Sequence, residues 1–379
     1  MALGLSALVA ACSDSSTQPE PPKKPPQLAT SAVYTNTVVS CKCPDNGKQN
    51  GLPSNDVRAM LAVSNGEFWI GTIAGLVRYP NLTTTERPPD NYVNEVNGLP
   101  NPQVTDMVEL SGKVYVSTWG GGLGVYDIGG NAWTQFRPGA TGLTDGNISQ
   151  LAVSTTENKV YLSSNDGVFI YTPGANTWQH ESTVRDISEN DPNFFTVERL
   201  QSTISSVVVT EAAGVVQRWY GPRVEMNVDA GYEKYYGILV SKNTAAEYKY
   251  STVNSGLVER NVNDIFYDPV RNTYWVAYVT QGISEVNVDA STWTDYTLVQ
   301  GLPSNTVYSI TRASDGNGGT TLWAATQAGL AKLNSAATEW QGYGRSAGLP
   351  ADRVRVVYSD DGNRLWAGFI DGGAAKIKP

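Results

Sequence analysis

The 379-residue sequence is poor in the side chains on which most metal and acid–base sites depend. It contains three cysteines and a single histidine, His180. Zinc sites need several such ligands at defined spacing, and no such pattern occurs. The G-x-S-x-G turn of serine hydrolases is also missing. We therefore predict no metal, no cofactor and no histidine-dependent catalysis, whereas an activity based on paired carboxylates stays open.

Positive charge and long apolar runs are also scarce. The chain has 27 Lys and Arg against 36 Asp and Glu, a net charge of -9, which is the wrong sign for neutralising phosphates. Nucleic acid is therefore not expected as a partner. No run of 18 apolar residues occurs, so no segment has the length of a membrane-spanning helix. Abundant residues are 10 Trp, 20 Tyr, 37 Gly and 20 Pro, a composition that favours β-strands and turns over helices.

The N-terminal segment has the character of an export signal. Residues 1–12 form a short apolar run that ends in the letters VAAC. This ending resembles the bacterial lipobox, in which a cysteine is joined to diacylglycerol. The resemblance implies a lipoprotein signal peptide over 1–11, a lipidated Cys12 and a location in the bacterial cell envelope, at the outer membrane or cell surface. An ordinary cleaved signal is the alternative, since no Lys or Arg precedes the apolar run. Residues 12–30 are predicted to be a Pro- and Ser-rich tether.

A Gly-Leu step recurs along the rest of the chain, at intervals of about 45 residues in most cases, a period typical of four-stranded propeller blades. The step begins at Gly51, Gly98, Gly142, Gly256, Gly301 and Gly348. Aromatic residues recur in the second predicted strand of each unit, at Trp69, Tyr115, Tyr161, Trp275, Trp323 and Trp366, and in the fourth, at Trp133, Trp178, Trp293 and Trp340. We predict that these aromatics fill the wedge between radially stacked blades, and that the glycines allow tight turns and close approach near the crowded axis.

The blade count follows from the repeat. Residues 183–255 lack the step but contain four strand-like segments, so we predict one enlarged, divergent blade and a total of seven blades, each of four antiparallel strands. The last unit ends after its third strand, and an unassigned strand at 31–37 precedes the first unit. We expect this strand to complete the last blade and close the ring, in a propeller domain over 31–379. Eight shorter blades are the alternative.

The repeats resemble the regulator propeller family, which occurs in sensor portions of bacterial two-component systems and in stand-alone envelope proteins. The family pattern is roughly G-L-P-S-N-x-V followed by W-x-G-T-x-x-G-L-x-x-Y. Residues 51–79 match it closely, and 98–126, 301–333 and 348–377 match it in part. The resemblance implies an all-β propeller fold and leaves the function open.

One end of such a propeller should carry the long loops. Connections between blades, and those from the second to the third strand, share this end, which we call the loop face. The longest insertions, at 38–50, 183–201 and 221–234, fall there, and long loops on a rigid scaffold commonly carry binding sites. Candidate ligand-binding residues on this face are Trp119, Asp186, Glu189, Asp191, Phe194, Phe195, Trp219, Tyr220, Arg223, Tyr232, Tyr235 and Tyr236. Packing of the aromatics against one another within the loops is the alternative.

These observations predict an extracytoplasmic binding module that contacts the membrane through its lipid anchor. Its loop face would be presented to a glycan, a peptide or an envelope protein. Two alternatives stay open. One is a propeller enzyme of the lyase or glycoside-acting kind, and the other is a structural subunit of a surface complex that uses the blade flanks.

Overall fold

A computed structural model of the chain shows seven four-stranded antiparallel sheets, arranged as the blades of one closed ring. The structure describes residues 27–35, 51–82, 92–139, 142–181, 203–212, 214–223, 237–242, 245–252, 255–360 and 363–379. Cys12, the signal-like segment and the tether as far as residue 26 lie outside these ranges. Among the described residues, no helix is long and apolar enough to cross a membrane.

We number the strands in chain order and call the strands of a blade a to d from the central channel outward. Blade 1 contains β2 (Val57–Ala62), β3 (Phe68–Thr72), β4 (Gly75–Tyr79) and β5 (Tyr92–Val93). Blade 2 contains β6 (Val104–Leu110), β7 (Lys113–Thr118), β8 (Gly122–Asp127) and β9 (Ala132–Phe136). Blade 3 contains β10 (Ile148–Ser154), β11 (Lys159–Ser164), β12 (Gly167–Thr172) and β13 (Thr177–Glu181).

The divergent region forms blade 4, as predicted, with β14 (Thr203–Ala212), β15 (Val215–Arg223), β16 (Gly237–Lys242) and β17 (Ala245–Ser251). Blade 5 contains β18 (Val262–Asp268), β19 (Thr273–Tyr278), β20 (Ile283–Asn287) and β21 (Thr292–Tyr296). Blade 6 contains β22 (Val307–Ser314), β23 (Thr320–Thr326), β24 (Gly329–Leu333) and β25 (Trp340–Tyr343). Short 3-10 turns at Leu298–Gln300 and Arg345–Ala347 precede blades 6 and 7.

Blade 7 joins the two ends of the propeller domain. It contains β26 (Val354–Ser359), β27 (Leu365–Phe369), β28 (Ala374–Lys378) and, as its outer strand, β1 (Ala29–Tyr34). β1 runs antiparallel to β28. The predicted ring closure and the count of seven blades are therefore confirmed, and the eight-blade alternative is wrong. The strand begins two residues before the predicted domain start at 31, because Leu28 is already buried and donates its backbone N–H to the Ala347 carbonyl at 2.7 Å.

Large aromatics fill the spaces between blades, as predicted for strand b. The strand-b aromatics Trp69, Tyr115, Tyr161, Trp275, Trp323 and Trp366 are all fully buried. Trp219 takes the same place in blade 4, which the divergent sequence had concealed, and is equally buried. A single four-stranded sheet cannot bury both of its faces. One large aromatic ring per blade fills the space between neighbouring sheets and so buries these faces.

The Gly-Leu glycines form tight turns as predicted, since four of them have a positive φ, but the expected crowding near the axis is not what surrounds them. In blades 2, 3 and 5 they pack beneath the strand-d tryptophan of their own blade. A Cβ on Gly98 would come within 2.7 Å of Trp133, and one on Gly256 within 2.4 Å of Trp293. In these three blades the tryptophan above the glycine leaves no room for a side chain, whereas a Cβ on Gly301 or Gly348 would meet a backbone carbonyl.

Candidate functional site

A cavity opens on the loop face at the mouth of the central channel. Its volume is about 240 Å³, and side chains from all seven blades line it. The lining residues are Arg58, Thr105, Asp106, Trp119, Ser149, Gln150, Ser205, Arg223, Asn263, Asp264, Tyr308, Ser309, Arg355 and Val356. Most of these side chains are polar or charged, which distinguishes the mouth from the aromatic interior between the blades.

A β-bulge at the start of every strand a builds this lining. Each strand a has a fully buried Val or Ile at its first residue, or at its second in blade 4, and the pairing with strand b shifts by one residue directly afterwards. A bulge leaves one residue unpaired and redirects the side chains beside it. The two residues after the buried Val or Ile therefore supply most of the channel lining.

The first of these two positions forms what we call the mouth ring. Its members are Arg58, Thr105, Ser149, Ser205, Asn263, Tyr308 and Arg355. Two members are engaged with the next blade, since Asn263 Nδ2 donates to the Val307 carbonyl at 2.8 Å and Ser205 Oγ donates to the Val262 carbonyl. The two arginines and Tyr308 give the ring its charged and aromatic groups.

The second position forms what we call the staple ring, because it joins neighbouring blades. Its members are Ala59, Asp106, Gln150, Ser206, Asp264, Ser309 and Val356. Five of them are polar, and each accepts a hydrogen bond from a backbone N–H of the next blade. The donors are Leu151 to Asp106 at 2.8 Å, Val207 to Gln150 at 2.8 Å, Ile265 to Ser206 at 2.9 Å, Ile310 to Asp264 at 2.9 Å and Val357 to Ser309 at 3.4 Å. Ala59 and Val356 cannot accept, so the two junctions that flank blade 1 lack this link.

Two carboxylates in the staple ring have unusual proton affinity. Burial raises the pKa of Asp106 to about 7, and the nearby Asp264 acts in the same direction, while the N–H donors of Leu151 and Met107 oppose the shift. Burial likewise raises the pKa of Asp264 to about 6. Gln150 Nε2 also donates to Asp264 Oδ1 at 3.0 Å. Both oxygens of each carboxylate thus have a protein partner, which assigns them a structural role.

An Arg–Asp–Arg trio spans the junction between blades 7 and 1. Arg58 donates to both Asp56 oxygens, from Nε at 3.2 Å and from Nη2 at 3.0 Å. Arg355 Nε lies 3.2 Å from Asp56 Oδ1 in an ion pair that lacks hydrogen-bond alignment. Burial and the charge of Arg58 lower the pKa of Arg355. One carboxylate faces two guanidinium groups, so the trio keeps one positive charge in excess.

The structure brings two of the predicted site residues to this mouth. Trp119 lies between β7 and β8 with 40% of its surface exposed, and Arg223 ends β15 on the loop face with an exposed side chain. Within the described ranges, Arg223 forms no ion pair. Tyr308 supports the trio from blade 6, because the Arg355 guanidinium lies 5.5 Å from the centre of its ring.

Two other predicted site residues lie in the core instead. Trp219 stacks on Tyr274 at a ring separation of 3.9 Å, deep between blades 4 and 5. Tyr220 is buried between blades 3 and 4 and donates its hydroxyl to Glu181 Oε2 at 2.7 Å. The expectation that they are ligand contacts on the loop face is wrong, because alternation along β15 points their rings into the two blade interfaces.

The remaining predicted residues are Asp186, Glu189, Asp191, Phe194, Phe195, Tyr232, Tyr235 and Tyr236, and they lie outside the described residues. Their role as ligand contacts stays a prediction. The described residues contain no group of three His, Cys, Asp or Glu side chains that could hold a metal ion.

Sequence reasoning missed the mouth ring, although a signal for it exists. Every strand a reads as Val or Ile, two variable residues, then an aliphatic residue or Met, as in Val57–Met60 and Val354–Val357. The flanking positions stay apolar while the inner pair ranges from Arg to Ser and Tyr. Two variable, mostly polar positions inside an otherwise apolar repeat indicate residues that face solvent or a ligand rather than the core.

Seven blades around a polar channel mouth define the chain as a seven-bladed β-propeller. Within that class it carries the two-component regulator propeller repeat, since the family model of that description matches residues 51–74. The predicted resemblance is therefore confirmed. No curated protein matches the chain in sequence.

Solved structures resemble the chain in fold. One is the extracellular domain of the putative hybrid two-component system BT3049 from B. thetaiotaomicron, with a TM-score of 0.61 and 16% identity, over 86% of this chain and 40% of that one. This chain thus spans well under half of that structure. Another is YCF48 bound to a D1 peptide, with a TM-score of 0.55 and 13% identity, over 86% of this chain and 93% of that one. A third is the computationally designed Ika8 protein, with a TM-score of 0.51 and 13% identity, over 88% of each chain.

Proposed function

We propose that this propeller is an extracytoplasmic binding module whose glycan ligand enters the channel mouth. The observation that carries the proposal is Trp119, a large aromatic side chain that is 40% exposed at the rim of a polar cavity. Binding sites commonly combine an apolar surface with a few convergent polar groups. A sugar ring offers both an apolar face for an aromatic partner and hydroxyl groups for polar ones.

The size and the position of the cavity agree with this proposal. Its volume of about 240 Å³ lies just below the range of roughly 300–1,000 Å³ that is usual for larger ligands. The mouth therefore suits one sugar ring at the end of a longer glycan, while the rest of the glycan extends over the loop face. The aromatic and acidic residues at 186–195 and 232–236, which the sequence predicts in loops of that face, are proposed as its further contacts.

A glycan array tests the proposal with the full chain. Wild-type protein should bind a subset of printed neutral and acidic oligosaccharides, and Trp119→Ala should weaken that binding about tenfold, equivalent to about 1.4 kcal/mol. Val270→Ala is the matched control, because Val270 is an apolar residue that is 69% exposed in an a-to-b hairpin at the opposite end of the propeller. Absence of any bound glycan, or equal binding by Trp119→Ala, would contradict the proposal.

An envelope protein is the second candidate partner, and a distribution of exposed apolar residues favours it. Val96, Val258, Leu298 and Val299 are exposed in loops that connect blades, all on the loop face. Leu298 and Val299 are adjacent and are 58% and 87% exposed, and a contiguous exposed apolar patch indicates contact with another macromolecule. Leu298→Asp combined with Val299→Asp should abolish binding to a protein partner and leave glycan binding unchanged. If the ligand is a glycan, Trp119→Ala should weaken glycan binding and leave binding to a protein partner unchanged.

Anchoring through Cys12 is part of the same proposal. The lipobox-like ending and the Pro-rich segment that follows it support a domain held at the envelope by acyl chains, at the outer membrane or cell surface. Labelled palmitate should be incorporated into the wild-type chain in bacterial cells and be lost in Cys12→Ala. Equal labelling of the two proteins would exclude the anchor without affecting the proposed binding site.

A further inference from the structure

We propose that the group bound at the channel mouth is the carboxylate of an acidic sugar, held by Arg355 and Arg223 with Arg58 alongside. The inference rests on the proposed glycan-binding function and adds the chemical class of the ligand. A uronic acid residue, in which a sugar ring carries a carboxylate, satisfies both the aromatic rim and the cationic lining.

The balance of charge in the cavity supports an anion. Three guanidinium groups line it, from Arg58, Arg223 and Arg355. Asp56 is the carboxylate that pairs with two of them, and it neutralises only one. Asp106 and Asp264 already accept protein hydrogen bonds on both oxygens, and the pKa of about 7 leaves Asp106 only partly charged near neutral pH. A carboxylate ligand would supply the charge that the cavity lacks.

The arrangement of these groups around the ring fits a carboxylate on a cyclic body. Tyr308, Arg355, Arg58 and Trp119 come from four consecutive blades, 6, 7, 1 and 2, so an aromatic side chain flanks the arginine pair on each side. Arg223 approaches from blade 4 across the channel. Guanidinium groups bind carboxylates through paired, charge-assisted hydrogen bonds. Arg355 Nε is buried beside Asp56, so the two Nη groups of Arg355 are the donors that would form such a bond.

A purely structural role for the trio makes a different prediction. Val356 provides no staple between blades 7 and 1, so Arg355, Asp56 and Arg58 could serve only to join these blades. In that case the loss of Arg355 would lower thermal stability and have no effect on the choice between acidic and neutral ligands. Arg223 lies outside the trio, so its substitution tests ligand recognition separately from the junction.

The experiment compares matched acidic and neutral probes by calorimetry with the full chain. The probes are trimers of galacturonate, glucuronate and mannuronate, each paired with its carboxyl methyl ester. The wild type should bind at least one acid trimer at least tenfold more tightly than its ester. Arg355→Gln and Arg223→Gln should each reduce this preference about tenfold. Arg353→Gln is the matched control, because Arg353 lies two residues before Arg355, directly before β26, pairs with Asp371 at 3.2 Å and is not part of the cavity lining.

Each outcome decides between the two proposals. Equal affinity of the wild type for every acid and its ester, or an unchanged preference in both Arg355→Gln and Arg223→Gln, would overturn the carboxylate inference. If neutral trimers bind in a Trp119-dependent manner at the same time, the glycan-binding function stands. If no acidic or neutral glycan binds, both proposals fail. Thermal denaturation of each variant shows whether a loss of binding reflects unfolding, and Arg223→Gln remains informative if Arg355→Gln is unstable.

Discussion

Asp106 and Asp264 place two carboxylates inside the channel, where their burial makes ionisation costly. Their pKa values of about 7 and about 6 lie above the ordinary value of 3.8 that each would have in the unfolded chain. Between about pH 4 and pH 7, the folded protein therefore retains protons that the unfolded chain has released. Since the folded state binds more protons over this range, these two groups make the free energy of unfolding fall as pH rises.

Asp106→Asn should remove part of this pH dependence. Residue 106 of the variant cannot ionise. From pH 5 to pH 8 the free energy of unfolding of the variant should therefore fall by about 1–3 kcal/mol less than that of the wild type. Urea denaturation at the two pH values measures it. Asn cannot accept both backbone N–H bonds, so the variant loses stability by a similar amount at every pH. The test therefore compares the slope of the free energy of unfolding against pH, rather than its absolute value.

Asp371→Asn provides the control for the pH experiment. Asp371 is largely exposed and pairs with Arg353 at the surface, where an ion pair contributes little to stability. Its slope between pH 5 and pH 8 should match that of the wild type. A slope for Asp106→Asn that equals both would show that Asp106 is ionised in the folded protein at pH 5.

Individual site residues were predictable only where they follow from loop position. Trp119 and Arg223 reach the mouth because each lies where strand b ends, as the order of strands predicted. Trp219 and Tyr220 were correctly predicted in strand b, but they are not site residues, because the alternation of the strand buries both rings between blades. Placed in register with Trp275 of the next blade, Trp219 would have been recognised as a core residue.

At the scale of strands and turns, the repeat could be recognised from the sequence because the Gly-Leu step and the strand-d tryptophan recur together. In three of the blades the glycine of the Gly-Leu step lies against the tryptophan of strand d, as Gly256 lies against Trp293. The strand order, the strands of blade 4 and the closing strand followed from this period. The mouth ring could not be read in the same way, because its members share a backbone bulge and no side-chain type.

Gly256→Ala should destabilise the propeller by about 1–3 kcal/mol, the usual effect of overpacking a filled interior. The new Cβ would lie 2.4 Å from Trp293 Cγ and 2.5 Å from its Cβ, so the ring or the backbone must move. Chemical denaturation measures the change. Gly174→Ala is the matched control, since a Cβ at Gly174 meets nothing within 4 Å. A loss of stability in the control as large as that in Gly256→Ala would refute the packing explanation.

At the scale of the whole molecule, the ring is held unevenly. Five junctions between blades carry a staple-ring hydrogen bond, while the junctions on either side of blade 1 do not. The trio of Arg58, Asp56 and Arg355 spans one of these two junctions. Blade 7 also depends on β1, which lies more than 300 residues from its partner β28 along the chain. The contacts of blades 7 and 1 should therefore decide whether the ring stays closed.

Tyr34 should be the side chain on which this closure depends most. Its ring is buried at the end of β1, 4.8 Å from Tyr79 and 6.1 Å from Trp366, and thus joins the last blade to the first. Tyr34→Ala should lower the free energy of unfolding by about 3 kcal/mol, as for other large buried aromatics. It should also speed hydrogen exchange of the β28 amides, because β1 would separate more often.

Val33→Ala tests whether that effect belongs to the closure itself. Val33 lies on the same strand with 40% of its surface exposed, so its truncation should change stability by no more than about 0.5 kcal/mol. Circular dichroism melts and exchange measured by mass spectrometry compare the two variants. Faster exchange in β28 without a lower melting temperature would mean that β1 can detach while the other blades remain folded. A loss in both would mean that the ring unfolds as one unit, because an open edge at blade 7 also exposes the aromatic contacts of blade 1.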